Sequence, residues 1–254
     1  MYDPVFLYYY CEEIDDNFPS PNNMELEKRN NNIVVEIMAG DGLQKGAKHY
    51  GVCTAGFVAI TKKKNITCIA TAGHCYLNDN YYLHPWNSRP TGYIIGQMDV
   101  AFEHKIDFGL IPIVGNVKPV PSIRNTDSRK YRELLIDDII TVSHYGVHLC
   151  VSGYFSHVKC GHVKALSGFI SLPKGFHENL FFVGLTCRYG DSGAPFFSYK
   201  QDLKRVSLNG ILAGGLTNII GDKVYGDIMG VITIDSILNT LRKDGRKIIV
   251  VTAK

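Results

Sequence analysis

What most constrains this chain is the spacing of its apolar runs. From about residue 32 onward, segments such as GVCTAGFVAI, ITCIATAG, YIIGQMDVAF, LFFVGL and VYGDIMGVITI alternate with clusters of Gly, Pro, Asn and Lys. The runs are about as long as strands and rich in Val, Ile, Tyr and Phe, side chains that fit a pleated, half-buried surface. Lys62-Lys63-Lys64-Asn65 lies between two of them and reads as a hairpin tip. A single late segment has helical spacing. Asp235 caps a helix from Ser236 to Arg242, with Ile237, Leu238 and Leu241 on one face and Lys243 and Gly245 at its end. Evenly spaced strands followed by one helix predict an all-β barrel or sandwich. No internal repeat interrupts that pattern.

With 254 residues the chain makes one large domain or two small ones sharing an interface. No run approaches the ~18 apolar residues that would span a bilayer as a helix. The net charge of +3 comes from mixed signs, so there is no strong pull toward nucleic acid or a membrane surface. Residues 1–32 differ in texture. MYDPVFLYYY is short, carries Asp3 rather than a basic start, and makes a poor secretory signal. The stretch from Glu12 to Asn32 reads as a linker, and its Lys28-Arg29 pair is either a processing site or two solvated charges. Seven cysteines, an odd number, leave at least one thiol outside any intramolecular bridge.

Three segments carry chemistry: Thr71-Ala72-Gly73-His74-Cys75 after an apolar run, Asp107-Phe108-Gly109-Leu110-Ile111 opening one, and Gly190-Asp191-Ser192-Gly193-Ala194-Pro195. Nucleophilic catalysis at a serine needs a base, an acid that fixes the base's tautomer, and donors for the developing oxyanion. His74 suits the base, Asp107 the orienting acid and Ser192 the nucleophile. Glycines at 190 and 193 permit a tight turn, with the N–H groups of Gly190 and Ser192 as oxyanion donors. This chemistry requires no cofactor and no metal.

TAGHC and GDSGAP, in the order His, Asp, Ser, resemble the chymotrypsin-like serine proteases. The likeness is nearest to the bacterial branch that includes the streptogrisins and alpha-lytic protease. IMAGDGL at 37–43 resembles the mature start in that branch, CTAGF at 53–57 its first hairpin, and DFGLI its aspartate segment. CVSGYFSHVKCGHVKAL at 150–166 is similar to its Cys-bounded loop, ILAGG at 211–215 to its substrate strand, and DGRKIIVVTAK to its closing strand. The resemblance implies two six-stranded antiparallel β-barrels with a C-terminal helix, over residues 33–116 and 138–254, joined by a linker at 117–137 and preceded by a leader at 1–32. His74 and Asp107 would lie on the first barrel and Ser192 on the second, with the site in the cleft between them. It implies disulfides Cys53–Cys75 and Cys150–Cys160, each worth roughly 2–4 kcal/mol, and hence an oxidising, extracellular compartment. It further implies substrate binding by Leu212, Ala213, Gly214 and Gly215, and a monomer that cleaves protein or peptide substrates. Members of this branch are made with a signal and a long pro-region, expected here upstream of Met1.

Other readings stand beside these. Asp99 rivals Asp107 as the acid. Asp191 suits a structural role. His144, His148, His157 and His162 lie near Cys150 and Cys160, but their spacing reproduces no standard zinc pattern, and solvated strand histidines are the favoured reading. Cys68 reads as a buried small hydrophobe. Cys187 has no later cysteine to pair with, and Cys11 lies in the leader. Ala213 stands where the family carries a serine beside the acid, so the acid loses one hydroxyl partner. Ala194 replaces the family's second glycine, which matters only if φ is positive there. The first pocket, expected from Thr186–Tyr189, Ile211–Gly215 and Tyr225–Asp227, would be uncharged and favour an apolar or aromatic side chain, unless Asp227 points inward. Asn65-Ile66-Thr67 is a glycosylation sequon in a secreted eukaryotic chain. The alternatives to an active endopeptidase are a silent homologue that binds proteins through the same cleft, and a β-rich adhesive or zinc-binding domain.

Overall fold

A computed structural model describes residues 35–48, 50–88, 91–172, 175–220 and 223–253. The leader, with Cys11 and the Lys28-Arg29 pair, lies outside the described residues, as do the side chains of Tyr225 to Asp227. Among the described residues the chain is all-β with one α-helix near its end.

The first part of the chain forms β1 (Val35–Ala39), β2 (Gly42–Lys45), β3 (Val52–Thr54), β4 (Phe57–Thr61), β5 (Ile66–Thr71), β6 (Asn80–His84), β7 (Ile94–Gln97), β8 (Val100–Phe102) and β9 (Phe108–Pro112). Two antiparallel sheets result, one carrying β4, β5, β9 and β8 in that order, the other β3, β2, β6 and β7. Alternation is visible in β6, where Tyr81 and Leu83 point inward and their neighbours do not. Ile37, Leu43, Ile69, Tyr81, Leu83 and Ile95 share one buried cluster. Each fully buried side chain of this size contributes about 1.5–3 kcal/mol. The Lys62–Asn65 tip turns between β4 and β5, Asn65 adopting a φ of 52° at its last position.

Residues 117–137 carry strands as well: β10 (Val117–Arg124), paired in parallel with β1, and β11 (Glu133–Ile139), paired with β10. Arg124 forms a two-pronged contact with the buried Asp41, whose carboxylate also accepts the Met38 N–H at 2.8 Å.

The rest of the chain forms β12 (His148–Gly153), β13 (His157–Leu172), β14 (Gly175–Gly184), β15 (Pro195–Tyr199), β16 (Arg205–Ile220) and β17 (Lys223–Thr233). These six pair antiparallel in a closed circuit, β12–β13–β14–β17–β16–β15 and back to β12. Closure removes free edges from most of their length. The interior is filled by Leu149, Val151, Phe181, Phe196, Leu212 and Val231.

The helix α1 spans Ile234–Lys243, so it begins earlier than expected and its cap is not Asp235. Thr233 is the N-cap, its hydroxyl accepting the Ser236 N–H at 3.0 Å. Asp235 sits in the first turn, where a carboxylate suits the helix dipole, and contacts the Thr141 hydroxyl. Ile234, Ile237 and Leu241 are buried. The tail then crosses to the first part of the molecule, where β18 (Ile248–Val250) pairs antiparallel with β4.

Candidate active site

His74 lies in the 3-10 turn Gly73–Cys75 that directly follows β5. Gly73 is needed there, because a Cβ would sit 2.0 Å from the Phe102 carbonyl oxygen. Asp107 immediately precedes β9, and the antiparallel register Thr71↔Gly109 brings that position alongside the turn. The carboxylate of Asp107 is fully buried. One oxygen accepts the His74 backbone N–H at 2.8 Å, and the other lies 2.6 Å from His74 Nδ1. Among the described residues these are its only hydrogen bonds, and the buried Ala213 supplies no hydroxyl. Burial disfavours the His74 imidazolium, but the hydrogen bond and charge of Asp107 outweigh it and raise the pKa above the usual 6.5, with Lys45 opposing and Glu103 assisting.

The rival, Asp99, lies elsewhere. It precedes β8, its N–H bonds the Leu110 carbonyl, and the charges it meets are those of Arg246 and Lys64.

Ser192 sits in a turn that leads into β15. Gly190 and Gly193 adopt φ values of +96° and +86°, a region that glycine enters without strain. A Cβ on Gly193 would meet Thr71 Oγ1 at 2.2 Å and Thr54 O at 2.6 Å, so the serine turn packs directly on the strand ends that lead to His74. Ala194 has no positive φ and is fully buried, so the methyl in place of glycine fits. Asp191 is buried in a structural role: it accepts the N–H groups of Phe155 at 2.8 Å, Ser156 at 3.1 Å and Arg188 at 2.7 Å.

The serine turn is bonded on two sides. Toward β16, Gly193 N–H donates to Leu212 O at 2.8 Å and Leu212 N–H to Ala194 O at 2.9 Å. Toward β3, Thr54 N–H donates to Ser192 O at 2.8 Å and Thr54 Oγ1 to Gly190 O at 2.9 Å. The N–H groups of Asp191 and Ala194 are used inside the turn. Those of Gly190 and Ser192 donate to no group among the described residues.

Leu212 belongs to the core by its side chain and to the serine turn by its backbone. Beyond Leu212, whose backbone bonds Gly193 and Ala194, β16 among the described residues keeps its partner β17 on one side only. The edge at Ala213–Gly215 therefore has no strand on the other side among the described residues, and a Cβ on Gly214 would meet nothing within 4 Å.

Both expected disulfides form, Cys53–Cys75 and Cys150–Cys160. Cys68 is buried, and burial, reinforced by the Asp99 charge, pushes its thiol pKa up to about 11, which keeps it protonated.

Sequence reasoning passed over Thr54, although it lies inside the CTAGF segment. Its hydroxyl donates to Gly190 O and accepts Tyr154 N–H at 3.1 Å, joining the serine turn to the β12–β13 turn. It also passed over Trp86 and Asp127. The Trp86 ring stacks on His157 at 4.1 Å, and His157 Nδ1 lies 2.6 Å from Asp127.

This is the fold of the chymotrypsin-like serine proteases. The chain is similar to Protease A of Thermobifida fusca at 19% identity, over 85% of this chain and 100% of that one, with a TM-score of 0.63. It is similar to a Nocardiopsis protease at 20% identity, over 86% and 100%, with a TM-score of 0.64. An alpha-lytic protease homologue, N4, gives 19% identity over 84% and 98%, with a TM-score of 0.60. No protein-family model and no curated protein sequence matches the chain.

Proposed function

We propose that this chain is a serine endopeptidase that cleaves protein or peptide substrates through an acyl-enzyme. The observation that carries this reading is the buried Asp107 carboxylate 2.6 Å from His74 Nδ1. That contact holds the proton on Nδ1 and leaves Nε2 as a base. Ser192 Oγ attacks the scissile carbonyl as His74 Nε2 takes its proton. The tetrahedral oxyanion is met by the N–H groups of Gly190 and Ser192, and His74 returns the proton to the leaving amine. An extended substrate adds as a strand to the open edge at Ala213–Gly215. On this reading the site lies between the parts 33–116 and 138–254, and the protein works as a monomer in an extracellular compartment where both disulfides persist.

Covalent labelling with a serine-directed fluorophosphonate tests the proposal. Intact chain is expected to label once, and Ser192→Ala and His74→Ala to remove the label. Folded wild-type chain that stays unlabelled would instead support a silent homologue, and a Ser192→Ala variant that labels equally would overturn the proposal.

A further inference from the structure

The β12–β13 hairpin carries a feature that proteolysis does not use. Its sequence reads His148-Leu149-Cys150 on one strand and Cys160-Gly161-His162 on the other, so His and Cys recur in mirror order. The register pairs His148 with His162 and Cys150 with Cys160, two directly opposed pairs separated by one residue on each strand. Side chains two apart on a strand share a face, so all four lie on one face of the hairpin. The His148 and His162 rings are 5.3 Å apart at their centroids. The ligand atoms of His148, Cys150 and Cys160 lie within 4.8 Å of one another. His144 and His157 are engaged elsewhere, with the Ser143 hydroxyl and with Asp127 and Trp86.

Two Cys and two His make a donor set of structural zinc sites, with Zn–S of about 2.3 Å and Zn–N of about 2.0–2.1 Å. Those bond lengths give a tetrahedron with edges of about 3.3–3.8 Å. Three of the donors, on His148, Cys150 and Cys160, therefore already lie near that spacing, and the His162 ring, 5.3 Å from that of His148 between centroids, would complete the set by side-chain rotation. In the present form the two sulfurs are joined and cannot act as thiolates.

We propose that this hairpin is held by alternative staples: the Cys150–Cys160 disulfide when oxidised, and one zinc ion on His148, Cys150, Cys160 and His162 when reduced. Cys160 is exposed and Cys150 buried, so a dithiol reductant reaches Cys160 first. Its thiolate forms a mixed disulfide with Cys160 and Cys150 leaves as thiolate. The reductant's second thiol then closes its own disulfide and releases Cys160. Two electrons pass from the dithiol to the protein, and zinc binding displaces the thiol protons.

Cobalt(II), whose tetrahedral thiolate complexes absorb visibly, tests this without any assay of proteolysis. The whole chain is reduced with a dithiol, desalted under nitrogen and titrated. One cobalt per reduced chain is expected, displaced by zinc, with no such spectrum from the oxidised chain. His148→Asn/His162→Asn should weaken binding by roughly 10–100-fold or more, and Cys150→Ser/Cys160→Ser should abolish the spectrum. Zinc should also raise the melting midpoint of reduced wild type but not of the double-histidine variant. The proposal is overturned by a reduced chain that takes up no stoichiometric metal, by either double variant binding as wild type does, or by a reduced chain that stays unfolded in excess zinc.

Discussion

At the scale of single residues, His74 is governed by its partner. Burial pulls its pKa down, and the buried Asp107 carboxylate more than restores it, so the net shift is upward from 6.5. On the proposed mechanism His74 must be neutral to act. The rate of fluorophosphonate labelling should therefore rise with pH through a midpoint above 6.5, and a midpoint at or below that value would contradict the assigned pairing. For stability the sign is opposite: the ion pair contributes fully below about 6.5 and its contribution is lost as pH rises through the folded value. Asp107→Asn should slow labelling by about ten-thousand-fold, the size expected when the base sits in the wrong tautomer. Thr54→Val is the second residue-scale test. It leaves Gly190 O and Tyr154 N–H without their hydroxyl partner, which should cost about 1–3 kcal/mol in urea unfolding. It should also slow labelling, because Gly190 is one of the two proposed oxyanion donors.

Elements show what the sequence makes legible. The strands were readable because their period is two and their ends are marked by turn residues: the Lys62–Asn65 tip, the Gly73 turn and the GDSGAP turn all fall where those signals stand. The helix was readable by its Ile237–Leu241 face, but Asp235 and Thr233 are both good caps, and only the chain's exit from β17 selects Thr233. The family resemblance implies a linker at 117–137, yet the stretch forms strands because β1 and β16 offer edges to it. The partnership of Arg124 with Asp41, 83 residues apart, leaves no local trace at all. The two bridges differ in kind at this scale. Cys53 and Cys75 are 22 residues apart and tie β3 to the histidine turn, while Cys150 and Cys160 are 10 apart within one hairpin. Loop-closure entropy predicts contributions of about 3.4 and about 2.7 kcal/mol. Cys53→Ala/Cys75→Ala should thus destabilise more in denaturant titration than Cys150→Ala/Cys160→Ala. It should also impair labelling, whereas the hairpin pair should leave labelling near wild type.

For the whole molecule, the determining contact is between the last strand and β4. The circuit of β12–β17 leads through α1 to β18, and β18 completes the sheet that β4 begins. Ile248 and Val250 are both buried there, in a cluster that also holds Phe57, Ile211 and Leu241. Ile248→Ala should therefore cost roughly 2–4 kcal/mol, measured by thermal or urea unfolding. Its effect should appear as loss of labelling as well as of stability, since the cluster joins β4, β5 and β9 to β16 and α1.

That late pairing also sets an order in time. A chain leaving the ribosome exposes β4 and β5 long before Ile248–Val250 are made, so the outer edge of β4 waits without its partner through most of translation. Ser192 likewise emerges well after His74 and Asp107. A nascent chain that has not reached Thr233 lacks β17 and cannot close the circuit, so the three groups proposed to act together are assembled only late in synthesis.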